Sequence, residues 1–279
     1  MFNRGRSKVG FAERELTTII VTHNSAAVLP DCLASLKSCW VGQVLVVDNA
    51  SSDNSVDLAR AAGAQVHELS RNDGFARAAN HGARAAQSPF LCFLNPDCIV
   101  EAGLLASAAQ VLRQHGRCVA LPDFLHDDGT IVRGCQPGYT WKKILADIIE
   151  CNRGWSLVVR LLKCLPGYDA RSWQWPLCAC AFIAQDLFFE VGGFDEQYFL
   201  YMEDVELGLS IARAGGTVAA LDSTVRHHMR LGSSVSSTRH MVLLNTARLQ
   251  YARRHYGASI ARILRMLIPE NRRTAAEGD

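Results

Sequence analysis

From Thr17 onward the chain alternates short apolar runs with longer stretches whose apolar residues recur at helical spacing, the pattern of βα units around a mostly parallel sheet. TTIIVT (17–22) reads as a first strand, and the polar turn after it leads into an amphipathic helix with Leu29, Leu33 and Leu36 on one face. QVLVVDN (43–49) is a second strand and AQVHELS (64–70) a third. Between them Ser51, Ser52 and Asp53 offer N-caps for a helix over roughly 54–62. The alanine-rich GFARAANHGARAAQ predicts another helix, and PFLCFLNPD (89–97) a buried strand stopped by its proline. This is an α/β pattern.

Beyond Asp97 the regularity weakens. A helix near 101–114 precedes a long segment, 121–176, that carries Trp141, Trp155 and Trp173 and reads as inserted loops and helices bounding a pocket. CACAFIAQDLFFEVGG then supplies a strand and a helix stopped at Gly192-Gly193, and a loop and the helix VELGLSIARAGG follow. The expected organisation is a tail over 1–15, one α/β domain over 16–235, and a basic amphipathic helical extension with its tail over 236–279. In that last part Arg248, Arg253, Arg254, Arg262 and Arg265 fall at helical spacings among Leu, Ile, Val and Met. A helix packed on the core with a solvated arginine face and a helix lying on anionic lipid both fit this pattern.

Composition narrows the class. Of 279 residues 49% are apolar and 20% charged, which excludes a disordered chain. Lysine and arginine number 29 against 27 acids, too even a balance for a nucleic-acid binder. The ten cysteines form no CxxC pair and read as reduced core thiols. No signal-type segment follows the basic N-terminus, and no apolar run reaches the roughly 18 residues of a spanning helix. The expectation is a cytoplasmic protein that meets a membrane only from the side, at its inner face.

The candidate chemistry gathers at the carboxyl ends of the expected strands, where open α/β sheets place their ligands. Thr22, His23 and Asn24 end the first strand and Asp48 and Asn49 the second; together they offer a ring and polar groups to the edge of a planar base. Asn72, Gly74, Arg77 and Asn80 surround a glycine turn opening a helix of small residues, a setting that suits a diphosphate. Asn95 and Asp97 flank a proline after a buried strand, where a carboxylate can hold a hard divalent cation. Glu203-Asp204 follow an aromatic run, and a carboxylate there can act as general base towards a hydroxyl; His227 or His228 can return to complete a metal site. No GxGxxG follows the first strand and no GxxxxGK[ST] occurs, so dinucleotide and P-loop readings lose their support.

The ordered set TTIIVTHNS, VLVVDNASSDNS, NDGFARAANHG, FLNPD, VGGFDEQYFLYMEDVELGLSIARAGG and HHMRLGSS resembles family 2 glycosyltransferases of the GT-A fold, a Rossmann-like α/β architecture, over roughly residues 16–257. The bacterial rhamnosyltransferase-like branch is the most similar. The resemblance implies inverting, non-processive transfer of rhamnose or a similar hexose from a dTDP- or UDP-sugar to a hydroxyl of a cell-surface glycan or lipid-linked acceptor, with Mg²⁺ or Mn²⁺ on the diphosphate. It implies base recognition by Asp48, a metal triplet from Asn95 to Asp97 with Asp97 the ligand, Asp204 as general base supported by Glu203, and His228, ahead of His227, as the later metal ligand. The sequence departs from the family pattern at His23, where tyrosine is usual, at Asn95, where many members have aspartate, and at Cys178-Ala179-Cys180-Ala181, where Ser-Gly-Ala is usual. The QxxRW signature of processive synthases is missing. A non-catalytic nucleotide-sugar binder and a sugar-phosphate nucleotidyltransferase are the competing readings.

Overall fold

The structure, a computed structural model, describes residues 11–273 except 13, 40, 41, 102, 154 and 229–236. Most of the expected N-terminal tail and the last six residues therefore lie outside the described residues.

The first half follows the alternation of the sequence. Strand β1 (Leu16–Thr22) is followed by α1 (Leu29–Cys39), β2 (Gln43–Asp48), α2 (Ser55–Ala61), β3 (Gln65–Glu68), α3 (Phe75–Ala85) and β4 (Phe90–Leu94). A two-residue strand β5 (Cys98–Ile99) leads to α4 (Leu104–His115), β6 (Cys118–His126), β7 (Ile131–Val132) and β8 (Cys135–Tyr139). Helices α5 (Trp141–Arg153) and α6 (Ser156–Lys163) precede β9 (Asp169–Pro176), β10 (Cys180–Ala184) and α7 (Gln185–Glu190). Then come α8 (Glu203–Arg213), β11 (Thr217–His227), α9 (Ser237–Leu267), which bends at Gly257, and a 3₁₀ turn over Glu270–Arg272.

The main sheet runs β3-β2-β1-β4-β10-β6-β11-β5, with β7 paired to β6 off this path. Strands β3, β2, β1 and β4 are parallel, and β10 is antiparallel to both β4 and β6, so β6 and its parallel partner β11 point the same way as the first four. Six strands thus deliver their carboxyl ends to one rim, and β10 begins there. Helices α1 and α4 cover one face through Leu29, Leu33, Leu36, Leu104 and Leu112, and α3, α7 and α8 cover the other. Helix α3 is built of alanines because it lies close: a Cβ on Gly82 would stand 2.6 Å from Ile19. The β8-β9 ribbon packs on α8, and α9 closes a third cluster with α5 through Tyr139, Ile148, Tyr251, Ala252 and Leu264.

Two strands depart from the sequence reading. The expected loop region 121–176 begins inside β6, which is buried through most of its length between β10 and β11 although Pro122 and Asp123 interrupt its apolar run. Strand β11 carries polar residues on one exposed face, which hid it as a connection between helix and histidines. Trp141 and Trp155 lie at the surface, and only Trp173 of the three joins an apolar cluster. Helix α9 packs on the core along one face; among the described residues no helix is long and apolar enough to cross a membrane.

Gly208 sets the distance between α8 and the ribbon: a Cβ there would lie 2.5 Å from Trp175 Cα and 2.7 Å from the Gln174 carbonyl. Gly208→Ala, normally stabilising by about 1 kcal/mol inside a helix, is expected here to cost about 1–3 kcal/mol through forced backbone shifts, read as a lower Tm by calorimetry.

Candidate active site

The rim collects its residues by strand pairing. Leaving β4, the chain turns through Asn95-Pro96-Asp97 into β5, and β5 pairs antiparallel with the end of β11, setting Cys98 opposite His227. That two-residue ladder brings Asp97 and His227 together across more than a hundred residues of chain: His227 Nε2 stands 3.3 Å from Asp97 Oδ1, both side chains nearly buried. Successive residues of a strand point to opposite sides, so His228 leaves in the other direction. Its amide N–H donates to the Asp97 carbonyl at 3.0 Å, while its ring nitrogen Nδ1 sits 2.6 Å from Asp127. The ring beside Asp97 is therefore that of His227, whereas the resemblance implied His228 as the later metal ligand.

Asp97, Cys98 and His227 present one donor atom each within 4.8 Å of one another. The thiol of Cys98 is pushed well above its ordinary range, first by burial and then by the charge of Asp97, and it donates to the Ala179 carbonyl at 3.4 Å. A protonated buried thiol is a poor ligand for a hard cation, which leaves carboxylate oxygen and imidazole nitrogen as the fitting donors. Seven buried side-chain polar atoms among the described residues lack a hydrogen-bond partner, and four belong to Asp97, His227, His126 and Glu203. Buried polar atoms are ordinarily paired, and Asp97, His227 and His126 stand together, which marks a place that can receive something polar. His126 faces His227 across the β6–β11 pairing with ring centroids 5.7 Å apart. It was missed from sequence, although His126-Asp127-Asp128 ends an apolar run just as Asp48 does.

The second carboxylate pair arrives on α8. Tyr201 and Met202, with φ of +71° and +70°, both adopt the left-handed conformation immediately before the helix; side chains other than glycine pay about 1–3 kcal/mol each for such backbone. Together with Asn24 and Ala50, at the turns after β1 and β2, they are the four non-glycine residues with positive φ among those described. Strain of this kind clusters where a site needs an otherwise unfavourable turn. Burial, opposed by the amide N–H groups of Val205 and Cys178, raises the Asp204 carboxyl to about 7. The Glu203 carboxyl is likewise raised well above its ordinary range, by burial and then by the charge of Asp204. Cys178 connects this pair to the metal-type donors: its thiol is raised by burial and then by Asp204 and Glu203, and its neighbour Ala179 accepts the Asn95 amide at 2.8 Å. The two carboxylate groups far apart in sequence thus flank the same two residues, the lead-in to β10.

At the β1–β2 side of the rim, Asp48 is buried and accepts from Thr22 Oγ1 at 2.8 Å, from Ser51 Oγ at 2.6 Å and from the Ser51 amide at 2.9 Å. His23 Nδ1 lies 2.9 Å from the Asn49 carbonyl, which can only accept, so Nδ1 carries the proton and Nε2 is the free nitrogen. Asn24 Oδ1 accepts from the amide and hydroxyl of Ser52. Asn49 bonds Asn72 and the Gly74 carbonyl and takes the Asp73 amide, locking the two turns together.

Two residues expected to face a diphosphate are engaged by the protein itself. Asn80 is buried and grips the 194–196 loop, donating to the Phe194 carbonyl at 2.8 Å and to Glu196 at 3.0 Å and accepting the Phe194 amide at 3.0 Å. Arg77 lies 3.4 Å from Glu196 and 3.8 Å from Asp73 in a cleft of about 350 Å³, two acids that also pair with Arg84 and Arg71. Gly74, with φ +89°, is required by a close approach: a Cβ would stand 2.2 Å from the Phe199 carbonyl, which accepts the Phe75 amide.

Comparison with known proteins gives the family and the fold. Residues 17–158 match the sequence profile of Glycosyl transferase family 2. The chain is 26% identical over 235 residues, 76% of each protein, to the N-acetylglucosaminyl-diphospho-decaprenol L-rhamnosyltransferase of Mycobacterium tuberculosis. It superposes on GalNAc-T7, solved with UDP, GalNAc and Mn²⁺, with TM-score 0.61 and 15% identity over 85% of this chain, though over only 47% of that one. It also superposes on the mannosyltransferase PcManGT of Pyrobaculum calidifontis, solved with GDP-Man and Mn²⁺, with TM-score 0.57 and 17% identity over 92% of this chain and 70% of that one. The fold is GT-A.

Two outcomes test the local assignments. Asn80→Ala strands the Phe194 amide and carbonyl and is expected to cost about 2–3 kcal/mol in urea unfolding. Because folding raises the Asp204 carboxyl from 3.8 to about 7, the native state holds this proton more tightly than the unfolded one. Stability from this group is full below about pH 4 and is lost as pH rises through about 7. Asp204→Asn should flatten that slope, leaving the part due to Glu203.

Proposed function

We propose, for a chain that belongs to glycosyl transferase family 2 and is thereby a glycosyltransferase, that this rim moves rhamnose or a similar hexose from a dTDP- or UDP-sugar to a hydroxyl of a glycan or lipid-linked acceptor, inverting the anomeric centre and adding one or few sugars. What supports the reading is that the Asn95 amide donates to the Ala179 carbonyl while the neighbouring Cys178 amide acts on the Asp204 carboxyl, so the turn that would grip a leaving diphosphate and the group that would take a proton both adjoin the lead-in to β10. The rhamnosyltransferase named above supports the sugar and a lipid-diphosphate acceptor, and the Mn²⁺ and nucleotides of the two solved structures support the donor class and a divalent cation.

Asp204 is the general base. As the acceptor oxygen bonds the anomeric carbon, the bond from that carbon to the diphosphate oxygen breaks on the opposite face, and the hydroxyl proton passes to the Asp204 carboxylate. A carboxyl raised to about 7 is half ionised near neutrality and accepts a proton better than an ordinary aspartate. Glu203, raised by burial and by the charge of Asp204, supports it from the adjacent position. Asp97 and His227 would hold Mg²⁺ or Mn²⁺, whose chemistry is to neutralise charge growing on the leaving diphosphate. Asp48 takes the base edge with the free Nε2 of His23 beside it, while Thr22, Asn24, Asn49, Asn72 and Gly74 hold the turns that shape this half of the pocket.

The test separates the two carboxylates. Asp204→Asn should leave nucleotide-sugar affinity intact, by calorimetric titration with Mn²⁺, while turnover drops by about 10²–10⁴. Asp97→Asn should weaken the Mn²⁺-dependent affinity itself. Equal losses of affinity in both variants would overturn the assignment. In the wild type kcat/KM should rise with pH to a plateau above about 7, because the base must be ionised.

A further inference from the structure

Eleven large apolar side chains stay exposed among the described residues, and eight of them lie on or beside α6, at the first residue of α5, or near the end of α9. Helix α6 has two apolar stripes. Val159 and Leu162 turn inward and join Ala146 and Ile149 of α5 and Leu267 of α9. Leu157 and Leu161, followed one turn on by Leu165, form the opposite stripe and are 68%, 62% and 45% exposed, with Trp155 at 53% just before the helix. The contact of Leu267 with the α6 cluster sets the end of α9 alongside, where Ile263, one turn before Leu267, and Met266 are 52% and 62% exposed. The Lys142 ammonium bonds the Pro166 carbonyl and so ties the exposed Trp141 to the turn that follows α6.

The charge around this surface is predominantly positive. Segments 155–165 and 258–273 contain Arg160, Lys163, Arg262, Arg265, Arg272 and Arg273 against the single acid Glu270; Lys163 lies 3.9 Å from Glu150 of α5. A second copy docking face to face would set six cations against six, with only Glu270 and Glu150 on each side to offset them, a like-charge arrangement that opposes pairing. A surface that is apolar at the depth of a short helix, carries tryptophan and is rimmed with arginine and lysine fits an anionic phospholipid bilayer.

We propose that α6 and the end of α9 form a peripheral membrane-docking surface for anionic phospholipid. The side chains of Trp155, Leu157, Leu161 and Met266 enter the acyl boundary, and Arg160, Arg262 and Arg265 sit among the headgroup phosphates. Docking requires neither donor nor cation, so it stands or falls apart from the transfer chemistry.

The experiment is co-sedimentation of the full chain with vesicles of phosphatidylglycerol and phosphatidylcholine, and with phosphatidylcholine alone. The wild type should pellet with the anionic vesicles and be released as salt rises. Leu157→Asp with Leu161→Asp should weaken binding at least about tenfold, and Arg262→Glu with Arg265→Glu by about tenfold or more on anionic vesicles. Both double variants should keep the wild-type circular dichroism, Tm and transfer to a water-soluble acceptor. The proposal is overturned if the wild type stays in solution with anionic vesicles, if the leucine variant binds them as tightly as wild type, or if that variant only converts a dimer to a monomer in sedimentation velocity with vesicle binding unchanged.

Discussion

The pairing of two residues, Cys98 and Ile99, with the end of β11 is the contact on which the site depends. It is a short ladder, yet it is the outermost link of the main sheet and it fixes the register in which the chain after β4 meets the chain after α8. With Cys98 opposite His227, the preceding Asp97 and the His227 ring face each other, and the amide of His228 completes the bridge to the Asp97 carbonyl. A slip of one residue would exchange the two histidines and send the imidazole now beside Asp97 to the other face.

The same rim shows how a fold holds ionisable groups in states they do not prefer in water. Glu203 and Asp204 open a helix, where the N-terminal dipole favours negative charge, but burial outweighs that preference and raises both carboxyls. Their placement rests on two consecutive left-handed residues, Tyr201 and Met202, and those are held from behind: Met202 is buried in the cluster under α9, and the Tyr201 hydroxyl meets His240 at 2.7 Å. The strain is therefore supported by the C-terminal helix, and packing links α9 to the Glu203-Asp204 carboxyl pair. Glu206, one turn further along α8, strengthens that link by accepting from the Tyr198 hydroxyl and lying 2.7 Å from His255 Nε2.

Much of the polar sequence that looks like ligand chemistry is structural. Asn49, Asn72 and Asn80 use their amides to fasten turns that have no regular secondary structure of their own, and Gly74 exists so that the Phe199 segment can lie against the start of α3. These contacts still serve function, since they fix the floor and wall of the rim, but they act through the backbone they position.

The sequence by itself determined the βα alternation of the first half, the direction of its strands and the gathering of Asp48, Asp97 and Asp204 at element ends, because hydrophobic periodicity and strand-end polarity are local properties. It also marked the basic amphipathic end of the chain. It did not reveal β6, whose proline and aspartate broke the apolar run, or β11, whose one exposed face looks like a connection. Only the tertiary structure decided that His227 and not His228 meets Asp97, that Arg77 and Asn80 are already engaged by the 194–196 loop, and that α6 carries a second apolar stripe left exposed among the described residues. Each of these is a question of register or of which side of an element meets a distant segment, and the pairing of residues more than a hundred positions apart is set by packing that no local pattern encodes.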